Sequence, residues 1–556
     1  MKKIITICCF ILYSLVSVAQ TKAFRFAFIS DTHIGSPDGK AEQDLQRTIN
    51  DINKRTDIDF VVITGDITEL GTDTQLATAK KLLDVLKIKW YIIPGNHDAG
   101  WSESGGQSYV STFGSDRFCF DHNGTRFLAC ASGPYVRMSD GHIPRDAMNW
   151  MKKVLDTTNI NMPVVFLNHY PMDNQMDNWY EVIDALKKRN CILIMCGHGH
   201  TNKSLNFEDI PGVMGRSNLR AKKEVGGYNM VDMGMDSILF SETNPVTAVL
   251  RQWTSVKNEN HHYDLSKKYP RPAYDINRTY STIKEKWRYS ADANIISTPA
   301  VINDLVVFGD QQGKMMALSI ANGKPRWFYK TSGSIFSSPA VWKENIVFGS
   351  ADGNIYCLNN KGKLNWKLKT GAAVLGSPLI EGNTVFIGGS DHTFRAIDIR
   401  SGKALWSFNG LDGPVVSNPV IANDKIIFGA WDTYLYSLDK NNGKLNWKWS
   451  NGSSVRNFSP ASCTPVIHNG IVYIVAPDRY LSAIDISTGK TLWRSNEAAV
   501  RESIGISEDS SLVYGKTMTD TLVAFPTSGT MQKASWKMNV GYGYEHVPSM
   551  LIEKNG

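Results

Sequence analysis

The chain has 556 residues, 42% of them hydrophobic, and a formal net charge of +7. This length is enough for two to four domains. The small positive balance shows no long basic run, so the composition does not indicate nucleic-acid binding, although it is compatible with an anionic substrate.

Residues 1–19 have the pattern of an export signal. A charged start at 1–3 precedes a mostly apolar stretch at 4–18, and Ser17-Val18-Ala19 ends in a small residue, so we expect cleavage before Gln20. An uncleaved membrane anchor is the alternative, but the stretch is short for a membrane span. Because no later apolar segment approaches 18 residues, the mature chain is expected to lack a transmembrane segment and to be periplasmic or secreted.

Five short apolar runs in the first 200 residues each end at residues of metal-binding type. Their Val, Ile and Phe content predicts buried strands, and the carboxyl ends of such strands meet at one rim of an α/β sheet. The runs are 24–30, 59–64, 90–94, 163–167 and 191–196. The residues that follow them are Asp31, His33, Asp66, Asn96, His169, His198 and His200.

Carboxylates, imidazoles and one amide are the ligands that a two-metal hydrolytic centre requires. Taken singly, each residue could have a purely structural role in a turn, in a loop cap or as a buried histidine. Taken together and in this order, they predict a dinuclear site. The mixed ligand set suits Mn, Fe(II), Co or Zn better than Ca. Cys196 ends the last run and is more typical of a small buried residue than of a soft ligand.

The local strings resemble the five signature blocks of the calcineurin-like metallophosphoesterase superfamily over roughly residues 22–245. The strings are Asp31-Thr-His33, Gly65-Asp66, Gly95-Asn96-His97-Asp98, Asn168-His169 and Gly197-His198-Gly-His200. The resemblance implies an α/β four-layer sandwich of two mixed sheets flanked by helices. It also implies hydrolysis of a phosphomonoester or phosphodiester by a hydroxide that two divalent ions share.

The resemblance further implies a role for each site residue. One ion would take Asp31, His33, Asp66 and His200, and the other would take Asp66, Asn96, His169 and His198. His97 would assist the leaving group, and Asp98 would hold the His97 imidazole in its tautomer. Glu69 stands where purple acid phosphatases carry a tyrosine, so a ferric centre is not expected. Candidates for substrate contact are Tyr170, Arg216 and Asn218, with a surface loop the preferred interpretation of Arg216.

Six cysteines remain after the expected cleavage, and their spacing does not indicate a disulfide framework. Cys119 and Cys130 flank a predicted Asn123-Gly124 hairpin turn. With that turn in register, Cys119 faces position 128, so a bridge to Cys130 would require a wider loop.

A period of about forty residues begins after a predicted linker at 246–283. Each unit offers four short alternating strands joined by Gly, Asn and Asp turns, which is typical of propeller blades. The repeating tryptophans are Trp287, Trp327, Trp366, Trp406, Trp447, Trp493 and Trp536. We therefore expect an all-β propeller at 284–556 with six complete blades. A partial seventh would combine 546–552 with 284–290, and its missing strands suggest a chain truncated at the C-terminus.

The pattern Asp-x-x-x-Gly-Lys-x-x-Trp, as at 398–406, resembles the PQQ-like repeats of quinoprotein dehydrogenases and outer-membrane assembly scaffolds. Each tryptophan is expected to dock between neighbouring blades. The quinone PQQ is not expected as a cofactor, because the adjacent cysteine pair of those dehydrogenases has a counterpart only in Cys8-Cys9 of the signal.

The leading hypothesis is an exported, dinuclear metal-dependent phosphoesterase whose propeller binds the substrate or a protein or polymer partner. An envelope scaffold in which the propeller carries the function is the alternative from another class. A quinone-dependent dehydrogenase ranks last, since fold resemblance alone does not establish redox chemistry.

Overall fold

The computed structural model describes residues 22–37, 40–133, 136, 141–220, 222–272, 284–528, 533–541 and 551–555. The predicted signal at 1–19 lies outside these ranges. Within them, the chain forms an α/β domain with two six-stranded sheets, followed by six four-stranded antiparallel sheets. This confirms the predicted fold class of an α/β sandwich joined to an all-β domain.

The first sheet of the α/β domain has the order β12-β11-β10-β1-β2-β3. Strands β1, β2 and β3 are parallel to one another, and the others join antiparallel. The strands are β1 (Phe24–Ile29), β2 (Phe60–Thr64), β3 (Trp90–Ile93), β10 (Tyr228–Met233), β11 (Ser237–Thr243) and β12 (Leu250–Lys257).

The second sheet has the order β4-β5-β6-β7-β9-β8, with β5, β6, β7 and β9 parallel. Its strands are β4 (Arg117–His122), β5 (Thr125–Cys130), β6 (Val164–Leu167), β7 (Cys191–Cys196), β8 (Lys203–Phe207) and β9 (Ile210–Met214). The five strands predicted from apolar runs are therefore confirmed as β1, β2, β3, β6 and β7.

Three hydrophobic cores separate four layers, as the resemblance implied. Phe26 and Phe60 of the first sheet pack with Phe127 and Val165 of the second, so the two sheets face each other directly. Helices cover the outer face of each sheet and bury separate cores there. The helices are α1 (Ala41–Lys54), α2 (Asp73–Leu83), α3 (Asn96–Ala99), α4 (Gln107–Phe113), α5 (Arg145–Thr157) and α6 (Trp179–Leu186).

The α/β domain extends beyond the boundary that the sequence suggested at residue 245. Strand β12 pairs with β11, so it belongs to the first sheet and not to a linker. The segment that follows also packs on this domain, since the Tyr263 hydroxyl donates to the Cys191 carbonyl and Asn190 Nδ2 donates to Asn260 Oδ1. The predicted linker at 246–283 is therefore wrong as far as residue 271, since Arg271 still pairs with Asp184 and Glu208 of the α/β domain. Its stretch 273–283 lies outside the described residues.

The cysteines behave as the hairpin register predicted. Cys119 on β4 pairs with Leu128 on β5, and all six cysteines among the described residues are free. Cys196 is fully buried at the end of β7. Among the helices that the structure describes, none is long and apolar enough to cross a bilayer.

Six complete blades follow, which confirms the predicted number. Each is a four-stranded antiparallel sheet in which consecutive strands are neighbours. The first three are β13–β16 (Ala300–Ile302, Leu305–Gly309, Lys314–Ser319, Pro325–Lys330), β17–β20 (Ala340–Trp342, Asn345–Ser350, Asn354–Asn359, Leu364–Lys369) and β21–β24 (Leu379–Glu381, Thr384–Gly388, Phe394–Asp398, Ala404–Phe408). The last three are β25–β28 (Val420–Ala422, Lys425–Gly429, Tyr434–Asp439, Leu445–Ser450), β29–β32 (Val466–His468, Ile471–Val475, Leu481–Asp485, Thr491–Ser495) and β33–β36 (Ile504–Ile506, Leu512–Lys516, Thr521–Pro526, Trp536–Asn539).

Tryptophans dock on the blade that follows them at five of the seven predicted positions, which confirms the predicted docking for these five. Trp366 on β20 donates from Nε1 to the Ile399 carbonyl of the following blade at 2.7 Å, and its ring covers Gly402. The same contact recurs from Trp287, Trp327, Trp406 and Trp447 to the carbonyls of Ile320, Asn360, Lys440 and Ile486.

The predicted seventh blade is only partly testable. Residues 284–290 form no regular strand, although Trp287 in this stretch docks on the first blade as its counterparts dock on theirs. Of the predicted inner strand at 546–552, all but residues 551 and 552 lie outside the described residues.

We expect Gly402→Ala to destabilise the propeller much more than Gly382→Ala. Both glycines have positive φ, +70° and +58°, so alanine strains the backbone by about 1–2 kcal/mol at either position. A Cβ at Gly402 would also lie 2.6 Å from the Trp366 ring, whereas a Cβ at Gly382 meets open space. Overpacking adds about 1–3 kcal/mol. Urea unfolding of both variants measures the difference, and equal losses would contradict the tryptophan docking.

The α/β domain rests on one face of the propeller. Arg145 at the start of α5 donates to Asn294 and Ala291 just before the first blade. Val136 packs with Phe336, Ala351, Ala373 and Leu375 of the propeller. These propeller residues lie in turns at the same end of successive blades, so this end faces the α/β domain.

Candidate metal centre

The seven predicted ligands follow the carboxyl ends of five parallel strands, as the sequence suggested. Strands β1, β2 and β3 of the first sheet deliver Asp31, His33, Asp66 and Asn96. Strands β6 and β7 of the second sheet deliver His169, His198 and His200. Because the sheets face each other, both sets of strand ends reach one place, where three groups of potential ligand atoms form among the described residues. Two of these groups share Asp66, and the third consists of His33, Glu69 and His97.

The first group contains Asp31, His33, Asp66 and His200. The Nε2 atoms of His33 and His200 are 3.2 Å apart, and His200 Nε2 is 3.3 Å from the Asp31 carboxylate. His33 Nε2 also lies 4.0 Å from the carboxylate of Asp66. Asp31, His33 and Asp66 are buried, while the His200 side chain is 44% exposed. The group therefore opens to solvent on the side of His200.

The second group contains Asp66, His169 and His198, with Asn96 between them. His169 Nε2 lies 3.1 Å from the Asp66 carboxylate and 3.1 Å from Asn96 Oδ1. His198 Nδ1 lies 3.1 Å from the same amide oxygen. Asp66 belongs to both groups, as its predicted bridging role requires.

The carboxylates of the two ligand groups attract positive charge into the site. Burial alone would raise the pKa of Asp66, but His169 and His97 outweigh it and hold the pKa well below its usual range. Burial alone would lower the pKa of His169, but the carboxylates of Asp66 and Asp31 outweigh it and raise the pKa to about 9. Burial and the neighbouring His169 lower the pKa of His198 to about 4. The site thus holds anionic carboxylates beside at least one neutral imidazole.

The donor and acceptor pattern fits divalent cations. His169 Nδ1 lies 2.8 Å from the Thr64 carbonyl, so Nδ1 donates its proton to that carbonyl and Nε2 faces Asp66 and Asn96 Oδ1. The oxygens around Nε2 attract positive charge, which a proton on His169 supplies in the metal-free protein and a divalent cation would supply in its place. A histidine whose second nitrogen binds a carbonyl or carboxylate is the usual arrangement around a bound metal. His33 shows the same pattern, with Nδ1 at 3.0 Å from Glu69.

The backbone at these positions adopts unusual conformations. Five of the seven residues have positive φ, which is uncommon outside glycine and concentrates at functional sites: Asp31, His33, Asp66, His198 and His200. Gly65, with φ +91°, directs the chain into this turn, and a Cβ there would lie 2.7 Å from the backbone nitrogen of Gly95. The turns after β2 and β3 therefore touch through glycine, which brings Asp66 close to Asn96.

His97 lies beside both groups without joining the predicted ligands. Its Nε2 is 3.9 Å from the Asp66 carboxylate, and its Nδ1 is 2.7 Å from the Glu69 carbonyl. Its ring contacts the Trp101 ring, with 3.8 Å between the ring centroids and an angle of 55° between the ring planes. With Nδ1 donating to a carbonyl, Nε2 is the nitrogen that faces the centre.

Asp98 has a different role from the one predicted. Its carboxylate accepts hydrogen bonds from the backbone N–H groups of Ile67, Thr68 and Gly95 and from the Thr68 hydroxyl, at 2.7–3.0 Å. The Glu69 carbonyl, not Asp98, is the described partner of the His97 ring. The expectation that Asp98 fixes the His97 tautomer is therefore wrong. Asp98 instead ties the turn after β2 to the turn after β3.

We expect Asp98→Asn to lower the free energy of unfolding by about 2–3 kcal/mol, because the amide turns an N–H group toward buried N–H donors. Thr68→Val removes one of the four donors and should cost only about 1 kcal/mol. Denaturant unfolding of both variants in EDTA measures these losses without a contribution from metal. An Asp98→Asn protein of normal stability but lower turnover would support the original tautomer role.

The candidates for substrate contact separate into two kinds. The Tyr170 ring lies 4.1 Å from the His198 ring, so Tyr170 borders the centre. Arg216 is buried and pairs with Glu242 at 2.5 Å, and Asn218 is buried with its amide on Thr48 and Gly227. The interpretation of Arg216 as a surface-loop residue is wrong, and both residues hold structure together.

Several residues near the centre carry no signal in the sequence. The sequence marks Glu69 by its position but does not indicate that it pairs with His33. Trp101 contacts the His97 ring and follows it by four residues, a spacing that is the only local signal for this contact. Leu70 and Trp101 form a cleft with three propeller residues, Trp431, Arg456 and Asn457. Those three follow Trp101 by more than 300 residues, so only the docking of the two domains reveals them.

Comparison with known proteins finds a match for one segment in each domain. Residues 24–202 match the family described as calcineurin-like phosphoesterase, and residues 332–529 match the family of the outer membrane protein assembly factor BamB. The glycerophosphodiester phosphodiesterase GpdQ of Enterobacter lignolyticus is 28% identical over 201 residues, which cover 31% of this chain and 70% of that protein. A probable cyclic nucleotide phosphodiesterase of Fibrobacter succinogenes is 26% identical over 217 residues, 36% of this chain and 81% of that protein.

Among solved structures, BamB from Moraxella catarrhalis resembles this chain with a TM-score of 0.40 and 19% identity, over 47% of this chain and 78% of that one. The sequence families and the ligand groups agree on the first domain. Residues 24–202 are therefore similar to the calcineurin-like phosphoesterases, hydrolases of phosphoric esters, and residues 332–529 are similar to the repeat domain of BamB.

Proposed function

We propose that this protein is an exported metal-dependent phosphodiesterase. The observation that carries the proposal is the pair of ligand groups that share Asp66, with His97 beside them. Relatives named as glycerophosphodiester and cyclic nucleotide phosphodiesterases favour a diester over a monoester.

The residues that would hold two divalent ions are the seven predicted ligands. The ions would supply a water of lowered pKa as the nucleophile and would neutralise the charge that develops on the phosphoryl oxygens. Asp66 would contribute an oxygen to both sites. The ions are expected among Mn, Fe, Co and Zn because the ligand set mixes imidazoles with oxygen donors.

His97 acts on the leaving group in this proposal. The bond between phosphorus and the alcohol oxygen breaks, and that oxygen takes a proton from His97 Nε2. The Glu69 carbonyl holds the opposite nitrogen at 2.7 Å, which keeps Nε2 directed at the centre. Trp101 covers one side of the imidazole and limits its rotation. Water and diester thus become a phosphomonoester and an alcohol.

The first experiment is a screen of substrates with defined metal. The protein is stripped with EDTA and assayed with bis(p-nitrophenyl) phosphate and p-nitrophenyl phosphate after addition of Mn, Co, Zn or Fe(II). We expect activity to depend on added metal, about two ions per chain, and a higher kcat/KM for the diester. A metal-free, inactive protein that binds a partner tightly would instead support the scaffold alternative.

Export is part of the proposal and rests on residues 1–19. N-terminal sequencing of protein recovered from a secreting bacterial host should begin at Gln20. Recovery of the intact Met1 terminus from the membrane fraction would support the uncleaved anchor.

A further inference from the structure

The loop at 100–106, between α3 and α4, connects His97 to the propeller. At its start, the Trp101 ring contacts the His97 ring, with 3.8 Å between the ring centroids. Two residues later, the Glu103 carboxylate accepts a hydrogen bond from Arg456 of the propeller at 2.6 Å. One short loop thus contacts both the proposed proton donor and the second domain.

The Trp101 ring has little free space on its propeller side. A small cavity beside the ring is lined by residues of both domains: Leu70, Trp101, Trp431, Arg456 and Asn457. Its volume is about 10 Å³, which is room for about one water molecule. Trp431, in the turn between β26 and β27, is itself buried. The packing of the two domains therefore limits how far the Trp101 ring can move from His97.

One guanidinium group joins the propeller to the loop. Arg456 Nε donates to the Trp431 carbonyl at 2.5 Å, while its Nη2 donates to Glu103. Because the guanidinium is planar, these two bonds fix Glu103 relative to the propeller backbone. His392 of the propeller lies 3.5 Å from the same carboxylate. Burial would raise the pKa of Glu103, but His392 and Arg456 outweigh it and lower the pKa, so the carboxylate is charged at neutral pH.

Arg456 belongs to an extended connection between two blades. This connection, from β28 to β29, covers residues 451–465. The corresponding connections are shorter and cover 331–339, 370–378, 409–419 and 496–503. The longer connection contains a short 3₁₀ helix that begins at Arg456. The part of the propeller that reaches Glu103 is therefore an addition to the repeat.

The hydrogen bonds of the loop backbone are weak next to Trp101. The Trp101 N–H donates to the Asn96 carbonyl at 3.4 Å, and the Ser102 N–H donates to the Ala99 carbonyl at 3.4 Å. Both distances exceed the usual range of about 2.7–3.2 Å. Helix α3 has only four residues, so it adds little rigidity of its own. The contact with the propeller therefore supplies restraint that the local backbone lacks.

We propose that Arg456 is a positioning residue for the phosphodiesterase reaction. Its bond to Glu103 holds the loop at 100–106, and the loop holds the Trp101 ring against His97, so that His97 Nε2 stays directed at the leaving oxygen. This proposal rests on the proposed phosphodiesterase activity and on the role of His97 in it. The propeller then increases turnover through His97 rather than by binding the substrate.

Arg456→Ala should slow mainly the reactions that need a proton from His97. Adenosine 2′,3′-cyclic phosphate releases an alcohol oxygen that requires a proton, whereas nitrophenolate leaves bis(p-nitrophenyl) phosphate without one. We expect kcat to fall about 10-fold or more on the adenosine ester and less than about 3-fold on the nitrophenyl ester, with little change in KM. Arg456→Lys keeps a cation near Glu103 and should recover part of the loss. Arg326→Ala is the control, since Arg326 is exposed on β16.

A double-mutant cycle separates positioning from a general loss of stability. In the His97→Ala background, Arg456→Ala should lower kcat on the adenosine ester less than about 2-fold, because the group that it positions is gone. Glu103→Gln should reproduce the selective loss, and its combination with Arg456→Ala should lose little more than either change alone. Equal losses for the two esters, or the same loss with and without His97, would overturn the proposal.

Hydrogen exchange gives a readout that does not depend on turnover. Peptides that cover 98–106 are compared by mass spectrometry in the metal-free full chain. We expect Arg456→Ala to speed amide exchange in this loop about 5-fold or more, while exchange in α1 stays at the wild-type rate. Arg326→Ala should change neither segment. Wild-type exchange of the loop in Arg456→Ala would overturn the proposal.

The two proposals fail in different ways. A wild-type protein that hydrolyses no diester with any of the four metals contradicts the phosphodiesterase function, and hydrogen exchange still decides whether Arg456 holds the loop. A protein that hydrolyses both esters and loses both activities equally in Arg456→Ala keeps its function and excludes the positioning role.

Discussion

Asp66→Asn should abolish nearly all phosphodiesterase activity, with kcat/KM at least about 1,000-fold lower, because both ligand groups depend on this one carboxylate. Its oxygens lie 3.1 Å from His169, 3.9 Å from His97 and 4.0 Å from His33. The amide of asparagine offers one neutral oxygen in place of two charged ones, so it cannot bridge two cations.

The fold should survive this change. Asp66 has φ +48°, and asparagine is among the few residues other than glycine that adopt this conformation readily. The far-ultraviolet circular dichroism of the EDTA-treated variant should therefore match that of the wild-type protein. Lost activity then reports on the centre rather than on folding.

The measurement combines kinetics on bis(p-nitrophenyl) phosphate with metal content from mass spectrometry. We expect metal to fall from about two ions per chain to one or fewer. Asp73→Asn is the control, since Asp73 is an exposed residue at the start of α2 and the chemical change is identical. A variant that keeps both ions and full activity would exclude a bridging role for Asp66.

His97→Ala should leave the metal content unchanged while it lowers kcat, because His97 belongs to neither of the two ligand groups that share Asp66. General acid catalysis contributes about 100- to 10,000-fold. The loss should depend on the leaving group. Nitrophenolate leaves without a proton, so bis(p-nitrophenyl) phosphate should lose less than about 10-fold, whereas adenosine 2′,3′-cyclic phosphate should lose about 1,000-fold.

Kinetics on both substrates and metal analysis of the same preparation measure these effects. His262→Ala is the control, since His262 is exposed in the segment after β12. A loss of one ion on His97→Ala would make His97 a ligand. Equal losses for the two substrates would exclude proton donation to the leaving alcohol and leave a role in binding the phosphoryl group.

The sequence predicted that the seven candidate ligand residues converge, because each of them is tied to a local pattern. Strand β7 is a continuous apolar run that ends at Cys196, and His198 and His200 must then lie at the rim of the sheet. Parallel strands have their carboxyl ends on one side, so five such runs place seven residues together. The blades were predictable for a similar reason, since one tryptophan marks each repeat.

The sequence did not predict the features that depend on tertiary contacts. Strand β12 (Leu250–Lys257) is an edge strand with mostly exposed side chains, so it lacks the apolar run that identified the others. Asp98 follows His97 directly, but the helical turn of α3 directs its carboxylate toward the backbone of Ile67 and Thr68. The contact of Trp431 and Arg456 with the phosphoesterase side depends on how two folded domains meet, and no local pattern records that.

The tryptophan docking makes the ring of blades directional. Each indole is seated on the blade that comes later in the chain, and never on the one before it among the five contacts described. Removing a blade from the N-terminal side would leave the docking site on the next blade without its tryptophan. Removing a blade from the C-terminal side would instead expose the indole of the preceding blade to water. The repeat therefore predicts that deleting blades from the two ends of the propeller affects its stability unequally.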